Sequence, residues 1–82
     1  MTKKVAILGS TGSIGKSLLN IISRDKKNFQ IHLLTADKNY KLLITQAKKY
    51  NVKNLIITNK KSFKILKDKF KTNKSINIFN NY

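Results

Sequence analysis

The 82-residue sequence contains no cysteine, no proline and no tryptophan, and only three glycines and one histidine. Without cysteine there is no disulfide and no thiolate metal site. Acids are nearly as scarce: Asp25, Asp37 and Asp68 are the full set, with no glutamate. Together with His32 they are too few to predict a metal site or a general acid–base pair, so complete hydrolytic or metal-dependent chemistry is not expected of these residues. No apolar run reaches the roughly 18 residues a membrane-spanning helix needs. The opening Val5-Ala6-Ile7-Leu8 run ends at Gly9, too short for the apolar core of a secretion signal.

What the chain has in excess is lysine. Seventeen lysines and one arginine against three aspartates give a formal net charge of +15. Lys, Asn and Ile together make up 38 of the 82 residues, and all three are encoded by A/T-rich codons. Two readings of the charge follow: a base-composition bias that inflates lysine everywhere, or a surface that binds a polyanion.

Hydrophobic patterning predicts an alternation of strands and helices. Residues 4–8 read as a buried strand, 29–35 as a second, 54–58 as a third and 76–79 as a fourth. Between them lie helical segments at 13–24, 40–50 and 61–71. Their apolar stripes are Ile14, Leu18, Ile21 and Ile22; then Tyr40, Leu43, Ile44 and Ala47; then Phe63, Leu66 and Phe70. Lys60, Lys64, Lys67 and Lys71 form a basic stripe on the third helix. The expected fold class is α/β, a Rossmann-like parallel sheet with helices on both faces, incomplete at its C-terminal end. Three helices over four strands leave one edge and much of a face open. The chain is therefore expected to be the N-terminal part of a longer protein, or else a small domain completed by dimerisation. His32, mid-strand with no acid nearby in sequence, is expected to pack rather than to catalyse, and the phenylalanines fit core positions better than a base-stacking platform.

The strongest signal is Gly9-Ser10-Thr11-Gly12-Ser13-Ile14-Gly15, directly after the first strand and at the start of a helix. In this context a GxxGxxG spacing predicts a dinucleotide-binding turn. The first glycine makes the turn, the second lets backbone approach a pyrophosphate, and the third allows helix and strand to pack closely. Free amides at the helix start face the anion, and Ser10, Thr11 and Ser13 offer hydroxyls. Gly15-Lys16-Ser17 resembles the end of a nucleoside triphosphate P-loop. That motif needs a glycine five residues before Gly15, where Ser10 stands, so the register fails. About 20 residues downstream, where an NAD site places an acid for the ribose, the sequence reads Thr35-Ala36-Asp37-Lys38-Asn39. Thr35 takes the strand-end position. Lys38 and Asn39 favour a 2′-phosphate and hence NADP, whereas an inward-pointing Asp37 would oppose it and an outward-pointing one could cap the next helix.

The heptapeptide Gly9 to Gly15, the segment Leu34 to Asn39, and Tyr40 to Thr58 with its Gln46-Ala47-Lys48-Lys49-Tyr50 stretch together resemble the N-terminus of the 1-deoxy-D-xylulose 5-phosphate reductoisomerase family. The resemblance implies that Thr11, Gly12, Ser13 and Ile14 contact NADPH at its phosphates, and that Lys38 and Asn39 hold the adenosine ribose with its 2′-phosphate. Family members often have glycine where this chain has Asp37. The family rearranges and reduces 1-deoxy-D-xylulose 5-phosphate to 2-C-methyl-D-erythritol 4-phosphate in non-mevalonate isoprenoid biosynthesis, using NADPH and a divalent cation (Mg or Mn). Its metal-binding acids, its site for the sugar-phosphate substrate and its catalytic flap lie downstream of the residues seen here. The resemblance therefore implies residues 1–82 as a partial N-terminal NADPH-binding domain, inert alone, from a cytoplasmic homodimeric enzyme with no membrane or nucleic-acid partner. Two alternatives remain at this point: the NADP domain of another reductase such as a semialdehyde dehydrogenase, and a small basic nucleic-acid-binding protein.

Overall fold

The computed structural model describes residues 2–81. Strands β1 (Lys3–Ile7), β2 (Phe29–Ala36), β3 (Asn54–Ile57) and β4 (Asn77–Phe79) alternate with helices α1 (Ser13–Ser23), α2 (Tyr40–Tyr50) and α3 (Lys60–Lys69). All neighbouring strands are parallel, in the order β1-β2-β3-β4. This is the Rossmann-like α/β architecture expected from the alternation.

The strand order steps in one direction. Right-handed crossovers that all step the same way return each helix to the same side of the sheet. The core agrees: Ile7, Ile31, Leu34, Ala36, Leu55, Ile57 and Ile78 from the strands join Leu19, Leu43, Ala47 and Leu66 from the helices in one cluster. The opposite face carries Ala6 paired with Leu33, and Ile56 paired with Phe79, which is 50% exposed. Among the described residues no helix lies over that face, so the second helical layer expected of a parallel sheet is not formed by these three helices.

The register contains one irregularity that sets the phase of the core. Val5 pairs with Ile31 but Ala6 pairs with Leu33, so His32 is skipped. One extra residue inverts the alternation beyond it, which puts Ile31 and Leu34, three residues apart, on the same buried face. It also leaves His32 exposed. The packing role expected for His32 is thus corrected: it lies exposed at a bulge, its carbonyl accepting from Asn54 Nδ2 at 3.1 Å.

Helix α1 departs from its expected orientation. Ile14, Leu18 and Ile21, three of the four residues of its anticipated apolar stripe, are 78%, 44% and 66% exposed. Gly15 and Leu19 are buried instead, with Ile22 half-buried beside them. The helix is rotated so that its smallest residue, Gly15, meets the turn after β1. Helices α2 and α3 bury the stripes the spacing predicts, Leu43 with Ala47 and Leu66. Asn51 ends α2 in the left-handed region at φ 55°, where its amide closes on Ala47 O. Asparagine tolerates that conformation better than most residues.

The rotation of α1 is testable by truncation. Leu19→Ala should cost about 3 kcal/mol of stability in urea unfolding, whereas Ile14→Ala should cost less than about 0.5 kcal/mol. Equal costs would mean that α1 sits as its apolar pattern suggests.

Candidate functional site

Ile7 at the end of β1 pairs with Leu34 of β2, so the segments after both strands emerge at the same edge of the sheet. The chain leaves β1 through Gly9, at φ +63°. A Cβ there would meet nothing within 4 Å, so glycine is needed for its backbone conformation and not for space. The turn is then pinned to β2. Gly9 N donates to Thr35 Oγ1 at 2.9 Å, Ser10 N to Thr35 O at 2.8 Å, and Gly12 N to Gly9 O at 3.0 Å.

A second clamp comes from α2. The fully buried Ser10 donates from Oγ to Gln46 Oε1 at 2.7 Å, and Gln46 Nε2 donates back to Ser10 O at 2.8 Å. One of the hydroxyl residues is therefore placed differently from the sequence expectation. Ser10 is turned under the loop and does not offer its hydroxyl outward. Thr35, near the strand end as expected, is buried beneath the turn and supports Gly9.

What the turn does present is Thr11, half-buried, followed by Gly12, Ser13 and Ile14, all exposed. Behind them Gly15 seats α1 on the loop: a Cβ at this position would lie 2.1 Å from Gly9 O and 2.7 Å from Ser10 Cα. Gly12 is different. A Cβ there meets only Gly9 O at 3.4 Å, and its φ of −82° suits any residue. Neither packing nor backbone conformation within the described residues requires glycine at 12.

The start of α1 adds polarity to this open side. Gly12 is its N-cap, with no side-chain cap and no acid in the first turn. The other two helices are capped by asparagine: Asn39 Oδ1 accepts from Leu42 N at 3.1 Å, and Asn59 Oδ1 from Ser62 N at 3.0 Å. The first amides of a helix have no intrahelical acceptor and carry the positive end of its dipole. At α1 they open onto residues 11–14, a cradle suited to a phosphate or pyrophosphate.

Asp37, Lys38 and Asn39 follow β2 at the same edge and are all exposed. Their backbone is fixed from two sides. Lys38 O accepts from Tyr40 N at 2.8 Å and from Ser62 Oγ at 2.9 Å, and Asp37 O accepts from Asn59 N at 3.0 Å. The Asp37 carboxylate accepts from Thr58 Oγ1 at 2.7 Å. It caps no helix; Asn39 does that for α2. The glycine turn and the Lys38–Asn39 pair thus lie along the same carboxyl edge of the sheet.

A divalent cation does not fit these residues. Asp25 is bonded to Asn28 at 3.0 Å, Asp37 to Thr58, and Asp68 to Lys71 at 3.7 Å, each pair local to a different part of the fold. Among the described residues no group of three metal-binding side chains converges, and no helix is long and apolar enough to cross a membrane.

Gln46 is the residue that sequence reading missed as part of the site. Its signal was present: it falls between Leu43 and Ala47 on the buried face of α2, where a polar side chain must find partners.

Comparison with known proteins follows the same outline. The profile of the 1-deoxy-D-xylulose 5-phosphate reductoisomerase family matches residues 5–81. The enzyme of that name from Pelagibacter ubique is 56% identical over 80 residues, covering 98% of this chain and 20% of its own length. A Wolbachia relative (from Drosophila simulans) is 42% identical over 66 residues, covering 80% of this chain and 17% of its own. The Zymomonas mobilis reductoisomerase solved in complex with NADPH superposes with a TM-score of 0.83 at 34% identity, covering 96% of this chain and 21% of that one. A second reductoisomerase structure, holding NADPH, fosmidomycin and magnesium, gives a TM-score of 0.83 at 28% identity. The chain spans about a fifth of the length of these relatives. The matches favour the reductoisomerase resemblance over the semialdehyde dehydrogenase and nucleic-acid readings.

Two substitutions separate the supports of the turn. Gly15→Ala forces backbone apart and should cost about 3 kcal/mol. Gln46→Leu keeps the bulk but strands the buried polar atoms of Ser10, and should cost about 2 kcal/mol. Urea midpoints near wild type for both would show that neither contact holds the turn.

Proposed function

Because this chain belongs to the 1-deoxy-D-xylulose 5-phosphate reductoisomerase family, we propose that residues 1–82 are a partial N-terminal NADPH-binding domain of such an enzyme. One observation carries the reading. The Gly9–Gly15 turn is built so that Thr11, Gly12, Ser13 and Ile14 lie open at an uncapped helix start, on the same sheet edge as Lys38 and Asn39.

Each residue has a role in this proposal. Gly12 lets the pyrophosphate approach the backbone, its own amide being spent on Gly9 O; the amides of residues 13 and 14 and the hydroxyls of Thr11 and Ser13 bind the pyrophosphate. Lys38 pairs with the 2′-phosphate of the adenosine ribose. Asn39 spends its carbonyl oxygen on the α2 cap, which leaves its amide nitrogen as the donor toward the ribose. When bound, the cofactor supplies a hydride. This chain's residues anchor its adenosine and pyrophosphate portions and so set where the nicotinamide falls, beyond the residues described. The whole enzyme would convert 1-deoxy-D-xylulose 5-phosphate to 2-C-methyl-D-erythritol 4-phosphate. Its divalent cation and sugar-phosphate would be held by residues outside this chain, because Asp25, Asp37 and Asp68 are dispersed. By family analogy the enzyme is a cytoplasmic homodimer.

Calorimetric titration tests the binding role. The chain should bind NADPH more tightly than NADH, and Lys38→Ala should weaken NADPH about tenfold while leaving NADH within about twofold, the scale of one charge-assisted contact. Gly12→Ala should fold with an unchanged urea midpoint yet lose NADPH affinity at least about tenfold, since its Cβ would occupy the open side of the cradle. Incubation with 1-deoxy-D-xylulose 5-phosphate, NADPH and magnesium should give no turnover. Product formation by these 82 residues would overturn their assignment as a partial, inert domain.

A further inference from the structure

Position 37, just past the end of β2 and roughly 20 residues after the glycine turn, falls in the stretch where a dinucleotide-binding sheet that prefers NADH places its acid. There a carboxylate accepts from the ribose 2′-hydroxyl, and it would repel a 2′-phosphate. This chain has an aspartate at that position, followed directly by Lys38. The two neighbours make opposite demands on the cofactor.

The geometry resolves the conflict through a third residue. Strand β2 lies between β1, which leads into the glycine turn, and β3. Asp37 Oδ1 is bonded at 2.7 Å to the hydroxyl of Thr58, the residue directly after β3. The carboxylate therefore leans toward β3, away from the strand that carries the cradle. The backbone holds both partners in place: Thr58 N donates to Ala36 O at 3.1 Å and Asn59 N to Asp37 O at 3.0 Å, continuing the β2–β3 pairing past the strand ends. Asn80 Nδ2 donates to Ile57 O at 2.9 Å and fixes the end of β3 from the other side. Lys38 Nζ makes no ion pair with Asp37.

We infer that Thr58 is a positioning residue for cofactor specificity: its hydroxyl holds the Asp37 carboxylate off the 2′-phosphate and so lets a site with an NAD-type acid accept NADPH. The inference rests on the proposed cofactor site. Without the hydroxyl, the carboxylate is free to swing toward the ribose, where it disfavours a 2′-phosphate and favours a 2′-hydroxyl. Thr58 itself need not touch either cofactor.

The test is a comparison of NADPH and NADH affinities in Thr58→Val, Thr58→Ser, Asp37→Asn and the Thr58→Val/Asp37→Asn double variant of this chain. Thr58 is exposed, so the valine variant should fold. Thr58→Val should weaken NADPH about fivefold, the effect of one like charge near the phosphate in a solvated site, with NADH unchanged or tighter. Thr58→Ser should keep the wild-type ratio. Asp37→Asn in the valine background should restore NADPH binding. A valine variant that weakens both cofactors equally, or whose loss persists without the Asp37 charge, overturns the inference and leaves the cofactor site standing. A wild-type chain that folds, as read by circular dichroism, and binds neither cofactor overturns both.

Discussion

The contact between Gly15 and the carbonyl of Gly9 is the constraint on which the rest of the site depends. With no side chain at 15, α1 lies directly on the backbone of the turn, where even a methyl group would sit 2.1 Å from an oxygen. That approach fixes the rotation of the helix. Leu19 and Ile22 follow Gly15 onto the sheet, while Ile14, Leu18 and Ile21 are carried to the outside. It also fixes where the first amides of α1 point, which is over residues 11–14. Packing, helix orientation and anion-binding capacity all descend from one missing Cβ.

Helix α2 then ties the Lys38–Asn39 segment to the glycine turn. Asn39 caps its start, beside Lys38, and Gln46 clamps Ser10 under the glycine turn. At 1.5 Å per residue these two points are about 10 Å apart along a rigid helix. The Lys38–Asn39 segment and the glycine turn are thus held at a distance set by helix geometry, not by loop conformation. The buried Ser10–Gln46 pair and the Thr35 hydroxyl leave the underside of the turn satisfied, with no buried side-chain polar atom lacking a partner among the described residues. Only the upper surface of the loop is left for a ligand.

Much of this was legible in the sequence, and the exceptions have physical causes. The strand–helix alternation, the extent of α2 and the GxxGxxG turn follow from period, spacing and glycine position. The α1 stripe was misread because Ile14, Leu18 and Ile21 satisfy helical periodicity, whereas the helix orients by steric fit at a glycine, which hydrophobicity does not register. His32 was misread because a bulge in a parallel ladder shifts the phase of every later residue and leaves no composition signal. Ser10 is assigned an outward hydroxyl from residue type alone. That hydroxyl is spent inward, and the partner that reveals this, Gln46, lies 36 residues away in sequence. The Asp37 carboxylate is bonded to Thr58, just past the end of another strand, so no local reading reaches its direction.

Among the described residues strand β1 lies at the edge of the sheet, with no strand on one side of its ladder. Such an edge is a template for another strand, including that of an identical molecule. Its first two residues are Lys3 and Lys4, both exposed, on a chain whose net charge is +15. Copies approaching along this edge meet lysine against lysine, with little compensating acid. Lysines on an open edge disfavour its pairing with an identical edge, where like charges meet, and leave the ladder accessible to a strand of different composition. Repulsion of this kind has a range of about 10 Å at 0.1 M salt and about 3 Å at 1 M. In concentrated salt the edge loses its guard, and solubility comes to depend on the backbone that the lysines had protected.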